Sequence, residues 1–323
     1  MGFRPFRTDD HEATPLPGSG QKGTPSIHIG GANLNGRHVT KLEQGADLSV
    51  QFILDHTERN QPGAFHEKLN TFDLGMQHNV RMGGRHRFSW GGGYRYSMDR
   101  IVNANSFAFL PGKLNLHWGN LFAQDEIALN AAFKVTAGVK AEHNSYTGLE
   151  YLPNLRVAWN SGASRLLWAS IARSVRAPSR VDRDLHVPVK APFFLGGGPD
   201  FISETVDVTE LGYRAQASAR FSYSATLFEA RYDKLATLEK GRLSVLEYRN
   251  LGKGISRGLE AWGRWQPIDT WRLSGGFTVQ RIDTSLYPGS RGEAGFSFKP
   301  GHGRSEASLG VALLAGSARL AAT

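Results

Sequence analysis

Apolar and polar residues alternate with a period of two over much of this chain. Leu48, Val50, Phe52 and Leu54 share one face, while Ser49 and Gln51 share the other. Phe72, Leu74 and Met76 stand opposite Asp73 and Gln77; Phe88, Trp90, Tyr94 and Tyr96 stand opposite Arg87, Ser89 and Arg95. The same pattern recurs with Phe133, Val135, Ala137 and Val139 against Lys134, Thr136 and Lys140, and with Trp271, Leu273, Phe277 and Val279 against Arg272, Ser274, Thr278 and Gln280. Period two is the signature of a strand with unlike faces. Short turns are predicted near Gln44-Gly45, Gly83-Gly84, Asn130-Ala131, Ser161-Gly162, Ala217-Ser218 and Pro267-Asp269. The gaps between them are longer: Arg59 to Lys68, Asp99 to Lys113, His143 to Glu150, Arg173 to Ile202, Asp233 to Arg242 and Asp283 to Glu293. Between turns and gaps lie segments of about ten residues, giving about 13–14 strands that end near Phe298. Residues 1–30 are Pro/Gly-rich and polar and read as loop. Residues 299–323 lack aromatics and hold one weak strand candidate, Leu309 to Leu314.

Alternation alone fits a soluble sandwich, with its polar face in water, or a membrane barrel, with its polar face in the lumen. Three details favour the barrel. The strands exceed the usual soluble length of about 5–6 residues. Long gaps fall on one side only. Trp159, Trp265 and Trp271 sit beside short turns, where an interfacial aromatic girdle belongs.

Composition agrees: 38 Gly, 18 Phe, 9 Tyr and 7 Trp suit a β-rich chain with many turns. The mean hydropathy of −0.36 is no objection, because apolar-out and polar-in residues average out in a barrel. No apolar run of about 18 residues or more occurs, which excludes a membrane helix. The net charge of +9 is carried by Arg scattered through strands, not gathered on one face, and argues against nucleic acid as partner. Cys is absent, which removes disulfides and thiolate metal sites.

Several segments resemble the strands of TonB-dependent outer-membrane receptors. They are Phe122-Ala-Gln-Asp-Glu-Ile127, Gly138-Val-Lys-Ala-Glu-His143 and Ser170-Ile-Ala-Arg-Ser-Val-Arg-Ala-Pro-Ser179. Ser203-Glu204 with Glu210-Leu-Gly-Tyr-Arg214, then Leu227-Phe228, Tyr232-Asp233-Lys-Leu235 and Gly258-Leu-Glu260, continue the series in order. The resemblance covers roughly residues 31–298. It implies an all-β, antiparallel transmembrane β-barrel in the outer membrane of a Gram-negative bacterium. The implied activity is uptake of a scarce nutrient, foremost a ferric siderophore, driven through the TonB complex. Outer-membrane lipid and lipopolysaccharide are the surrounding partners.

The family pairs a plug with a 22-stranded barrel. Here no TonB-box-like segment or plug is found, several strands are missing, and the terminal aromatic strand is replaced by Arg319-Leu-Ala-Ala-Thr323. The start also lacks a signal peptide's apolar stretch. The expectation is therefore a partial receptor barrel over 31–298 with an atypical tail, a fragment truncated or out of frame at its ends.

Catalytic and cofactor motifs are absent: His66-Glu67 has no second His to complete HExxH, and neither Gly91-Gly-Gly93 nor Gly196-Gly-Gly198 sits in a phosphate-loop context. No enzyme, cofactor or metal site is expected. The longest gap is the candidate ligand loop, with Arg173, Arg176, Arg180, Arg183, Lys190, Phe193 and Phe194. Cations beside aromatics suit an anionic or catecholate-like ligand, and a solvated or lipopolysaccharide-facing loop uses the same residues. A passive porin-like channel and a soluble all-β binding protein are the alternative functions.

Overall fold

The computed structural model describes residues 2–10, 26–241, 245–290 and 304–315. In chain order the strands are β1 (Gly2–Asp10), β2 (Ile27–Lys41), β3 (Asp47–Gln61), β4 (Phe65–Met82), β5 (His86–Asn103), β6 (Ala108–Phe109), β7 (Lys113–Ala128), β8 (Phe133–Asn144), β9 (Gly148–Asn160) and β10 (Arg165–Arg176). A short helix α1 (Arg180–Asp184) follows, then β11 (Leu185–His186), β12 (Leu195–Gly196), β13 (Glu204–Ser218), β14 (Phe221–Lys240), β15 (Leu246–Ile268), β16 (Trp271–Leu286) and β17 (Arg304–Ala315).

One 15-stranded sheet runs β1-β2-β3-β4-β5-β7-β8-β9-β10-β13-β14-β15-β16-β17, with β12 added in parallel to β15 and every other pairing antiparallel. Each long strand pairs with its sequence neighbours, as chains of hairpins do. Among the described residues β1 pairs only with β2 and β17 only with β16, so the sheet is not closed. It is an antiparallel partial barrel.

The registers put the apolar sets on one surface. Leu54 faces Phe72, Phe72 faces Tyr96, Val139 faces Pro153, and Leu227 faces both Leu211 and Leu259. Paired residues point to the same side of a sheet. That side is exposed, including Leu121 at 71% and Leu227 at 54%. A contiguous exposed apolar surface of this size belongs against lipid. No helix among the described residues is long and apolar enough to cross a membrane; this sheet would cross with strands.

All the expected short turns join consecutive strands at the same end of the sheet: β2–β3, β4–β5, β7–β8, β9–β10, β13–β14 and β15–β16. At the β4–β5 turn both Gly83 and Gly84 have positive φ, +56° and +70°, which side chains with a Cβ rarely adopt. Trp159, Trp265 and Trp271 lie on the apolar surface at this end, Trp159 with its ring stacked 5.8 Å from Phe133.

The opposite end departs from expectation. Strands overrun about ten residues: β4 and β5 have 18 each, β14 has 20 and β15 has 23. Two of the long gaps therefore shrink to turns, at residues 62–64 and 145–147. The reason lies on the outer face, where apolar residues stop well before the strand ends. On β4, Phe72 gives way to Asn70, Lys68 and His66. A membrane takes roughly 9–11 residues of strand, so the polar remainder projects beyond it. Gly2–Asp10, expected as loop, forms β1, registered with Ile27–Asn35 of β2. The expected strand Leu309 to Leu314 lies within β17, while the expected break at Phe298 and the tail beyond residue 315 fall outside the described residues.

Candidate functional site

The 27 residues between β10 and β13, from 177 to 203, do not hang free at the overrunning end. Pro178 ends the β10 ladder by removing a donor. Ser179 then caps α1: its hydroxyl accepts from the Asp182 backbone N–H, and Asp182 Oδ2 accepts from the Ser179 N–H at 2.8 Å. This reciprocal capping box lets five residues turn as a helix.

The helix delivers Arg180 to a carboxylate from a distant strand. Arg180 donates to Asp99 of β5 at 2.9 Å and to Asp184 at 2.9 Å, with the guanidinium side chain only 10% exposed. Its planar fork also reaches the Pro111 carbonyl and lies over the Phe109 ring at 5.5 Å. Arg176, still on β10, is held by Glu204 at 2.5 Å and Asp182 at 2.9 Å. The Glu204 bond keeps its guanidinium charged far above its ordinary range.

Arg183 donates to the Phe201 carbonyl at 2.7 Å and stands over the Tyr146 ring at 5.3 Å. Tyr146, in the β8–β9 turn, donates to Asp184 at 3.0 Å. Burial, and next the Asp184 charge, push its phenol well up from the usual tyrosine range. Thr147 and Ser203 join the turn to the loop by a 3.0 Å hydroxyl bond. Phe201 is fully buried with Leu238 and Tyr248, and Leu195, Ala236 and Leu246 pack around them. Below this cap, Glu67 of β4 is pushed up by burial and then by Asp99. One oxygen of Asp99, Oδ1, is buried without a hydrogen-bond partner.

The residues singled out in the sequence thus separate. Arg176, Arg180 and Arg183 meet in the cap, each engaged with protein groups. Arg173 points the other way, onto the outer face, where it forks onto Asp207 through bonds of 2.7 and 2.8 Å. Phe193 packs its ring edge-on against His186 at 4.9 Å, while Phe194 is 60% exposed and Lys190 is exposed. The sequence showed the arginines but not their counter-charges, which come from residues as far away as Asp99.

A second feature went unread in the sequence. The polar face holds an open hollow of about 640 Å³ across β2 to β8. Arg37, Asp73, Arg95, Lys140 and Glu142 line it with Trp118 and Phe122. Asp73 pairs with Arg95 at 2.8 Å and Lys140 with Glu142 at 2.5 Å, so most of its charge is internally matched. Gly75 and Gly93 are registered neighbours on its floor. The cross-strand signal was present in the alternating polar positions but needs the register to become a hollow. Among the described residues no cluster of three His, Cys, Asp or Glu could hold a metal ion.

The model of the TonB dependent receptor-like β-barrel family matches residues 17–309. The chain belongs to this family of receptors and transporters. Solved structures share the fold. The siderophore receptor PirA from Pseudomonas aeruginosa superposes with a TM-score of 0.64 at 19% identity, over 82% of this chain and 52% of that one. The FrpB iron transporter from Neisseria meningitidis gives 0.64 at 13% identity, over 83% and 47%. The ferric enterobactin receptor PfeA from P. aeruginosa, solved with enterobactin, gives 0.63 at 14%, over 82% and 49%. The chain spans about half the length of these receptors. No curated protein sequence matches it significantly.

Proposed function

We propose that this chain is the barrel portion of an outer-membrane receptor for TonB-dependent uptake of a scarce nutrient, foremost a ferric siderophore. The family match across residues 17–309 carries the reading. Similarity to receptors whose own ligands are siderophores or iron supports the ligand class. The apolar outer face supports placement in the outer membrane, with the turn end toward the periplasm and the cap outside.

Within the candidate loop, ligand contact falls to the exposed side chains Lys190 and Phe194, with Phe193 beside them. The arginines serve the ligand by holding the loop in place. Their guanidinium groups meet carboxylates and carbonyls.

The test is uptake of radiolabelled ferric enterobactin by receptor-deficient cells expressing the complete reading frame. Uptake that disappears when TonB is deleted supports the reading. Uptake indifferent to TonB, with ion conductance in planar bilayers, replaces it with a passive channel.

A further inference from the structure

On the outer face, Glu58 of β3, Lys68 of β4, Arg100 of β5 and Lys113 of β7 form one registered row. Three adjacent strands thus present three cations side by side, spanning roughly 10 Å at the usual strand spacing. Like charges directly opposite in a sheet repel. Glu58 is the one carboxylate in the row, and it is shared between Lys68 at 3.2 Å and His66 at 2.6 Å. Arg100 donates to the Asp99 and Leu114 carbonyls and to Asn115, none of them charged. Lys113 has no ion pair among the described residues. The other half of the sheet differs: there Arg173, Arg257 and Arg281 meet Asp207, Glu229 and Asp283. In the first row, by contrast, Arg100 and Lys113 meet no carboxylate among the described residues.

Directly below the row is a groove of about 280 Å³ on the outer face. Leu34, Leu54, Phe72 and Met98 line it, with His56 and Asn70 at its polar rim. Those two rim residues bond each other at 2.8 Å. The apolar band begins here, so the cations stand where hydrocarbon ends and headgroups begin. Cations just beyond such a band are placed to meet anionic headgroups.

We infer that Lys68, Arg100 and Lys113 bind the phosphate of a membrane lipid, whose acyl chain lies in the groove bounded by Leu54, Phe72 and Met98. The phosphate supplies the missing counter-charge, and the groove distinguishes a lipid from a free anion. The inference rests on the membrane reading of the sheet.

The full chain is reconstituted in phosphatidylcholine vesicles containing a minor fraction of phosphatidic acid, and retained lipid is counted by native mass spectrometry. Preferential retention of phosphatidic acid is expected. It should fall about tenfold or more when Lys68→Gln, Arg100→Gln and Lys113→Gln are combined. Arg257→Gln with Arg281→Gln should leave it unchanged. Undiminished retention by the triple variant overturns the site. Displacement of the lipid by inorganic phosphate alone also overturns it, by exposing a free-anion site. A chain that inserts without lipid preference overturns this inference alone, while one that never enters vesicles overturns the membrane reading with it.

Discussion

The two ends of this sheet are built on different physics. At the turn end, tight connections close hairpins whose outer residues are Trp and Phe, and stability comes from pairing and lipid contact. At the cap end, the strands leave the apolar band and the 177–203 segment folds onto them through buried ion pairs and one small aromatic core. The first arrangement is local and repeats hairpin by hairpin. The second joins residues far apart in sequence and depends on a few side chains. Damage should therefore stay limited at the turn end and spread at the cap.

Removing Arg180 is the sharpest way to break the cap. Arg180→Leu leaves Asp99 and Asp184 buried without their partner, and losing one member of a buried pair costs about 3–5 kcal/mol. The expected outcome is proteolysis within 177–203 while the strand signal in circular dichroism persists. A cap as resistant as the parent's would show that the pairs are dispensable. Leu227→Arg probes the band instead. It sets a cation among Leu211 and Leu259 and should cost about 2–4 kcal/mol in urea titration from lipid vesicles, with the cap's protease resistance unchanged. Arg173→Ala should matter least among these substitutions. Its pair with Asp207 is solvent-exposed on both sides, and such pairs contribute about 0–1 kcal/mol.

A pH series refines the cap further. Glu67 titrates above its ordinary range, so the folded state holds this proton more tightly than the unfolded state does. Its contribution should make the cap more stable as pH falls through the raised folded value, and Glu67→Gln should remove that slope. The comparison is made between parent and variant at each pH, so that every other titrating group cancels. An identical slope in both would deny the role of Glu67.

The sheet was legible in the sequence because period-two patterning is local: Leu48 to Leu54 and Phe72 to Met76 announce their faces without help. Turn residues such as Gly83-Gly84 marked the hairpins because only certain backbones fit there. Strand overrun was hidden because both faces become polar above the band; Glu67 and Lys68 carry no alternation. The cap was hidden for another reason. Arg180 meets Asp99 across 81 residues and Thr147 meets Ser203 across 56, and no local pattern encodes such pairings. Arginines seen without partners looked like a ligand surface. The lumen hollow likewise needed the alignment of Gly75 with Gly93, which only register reveals.

The bond set around Asp184 has a mechanical meaning. A ladder of strands bends and shears easily, since neighbouring hydrogen bonds can tilt together. Asp184 ties to Arg180, Arg180 to Asp99 on β5, and Tyr146 at the β8–β9 turn ties back to Asp184. Those links triangulate the rim across several strands, as a diagonal member stiffens a frame. A pull on the 177–203 segment would load β5 and the β8–β9 hairpin together, and the rim would resist ovalising until that joint gives way.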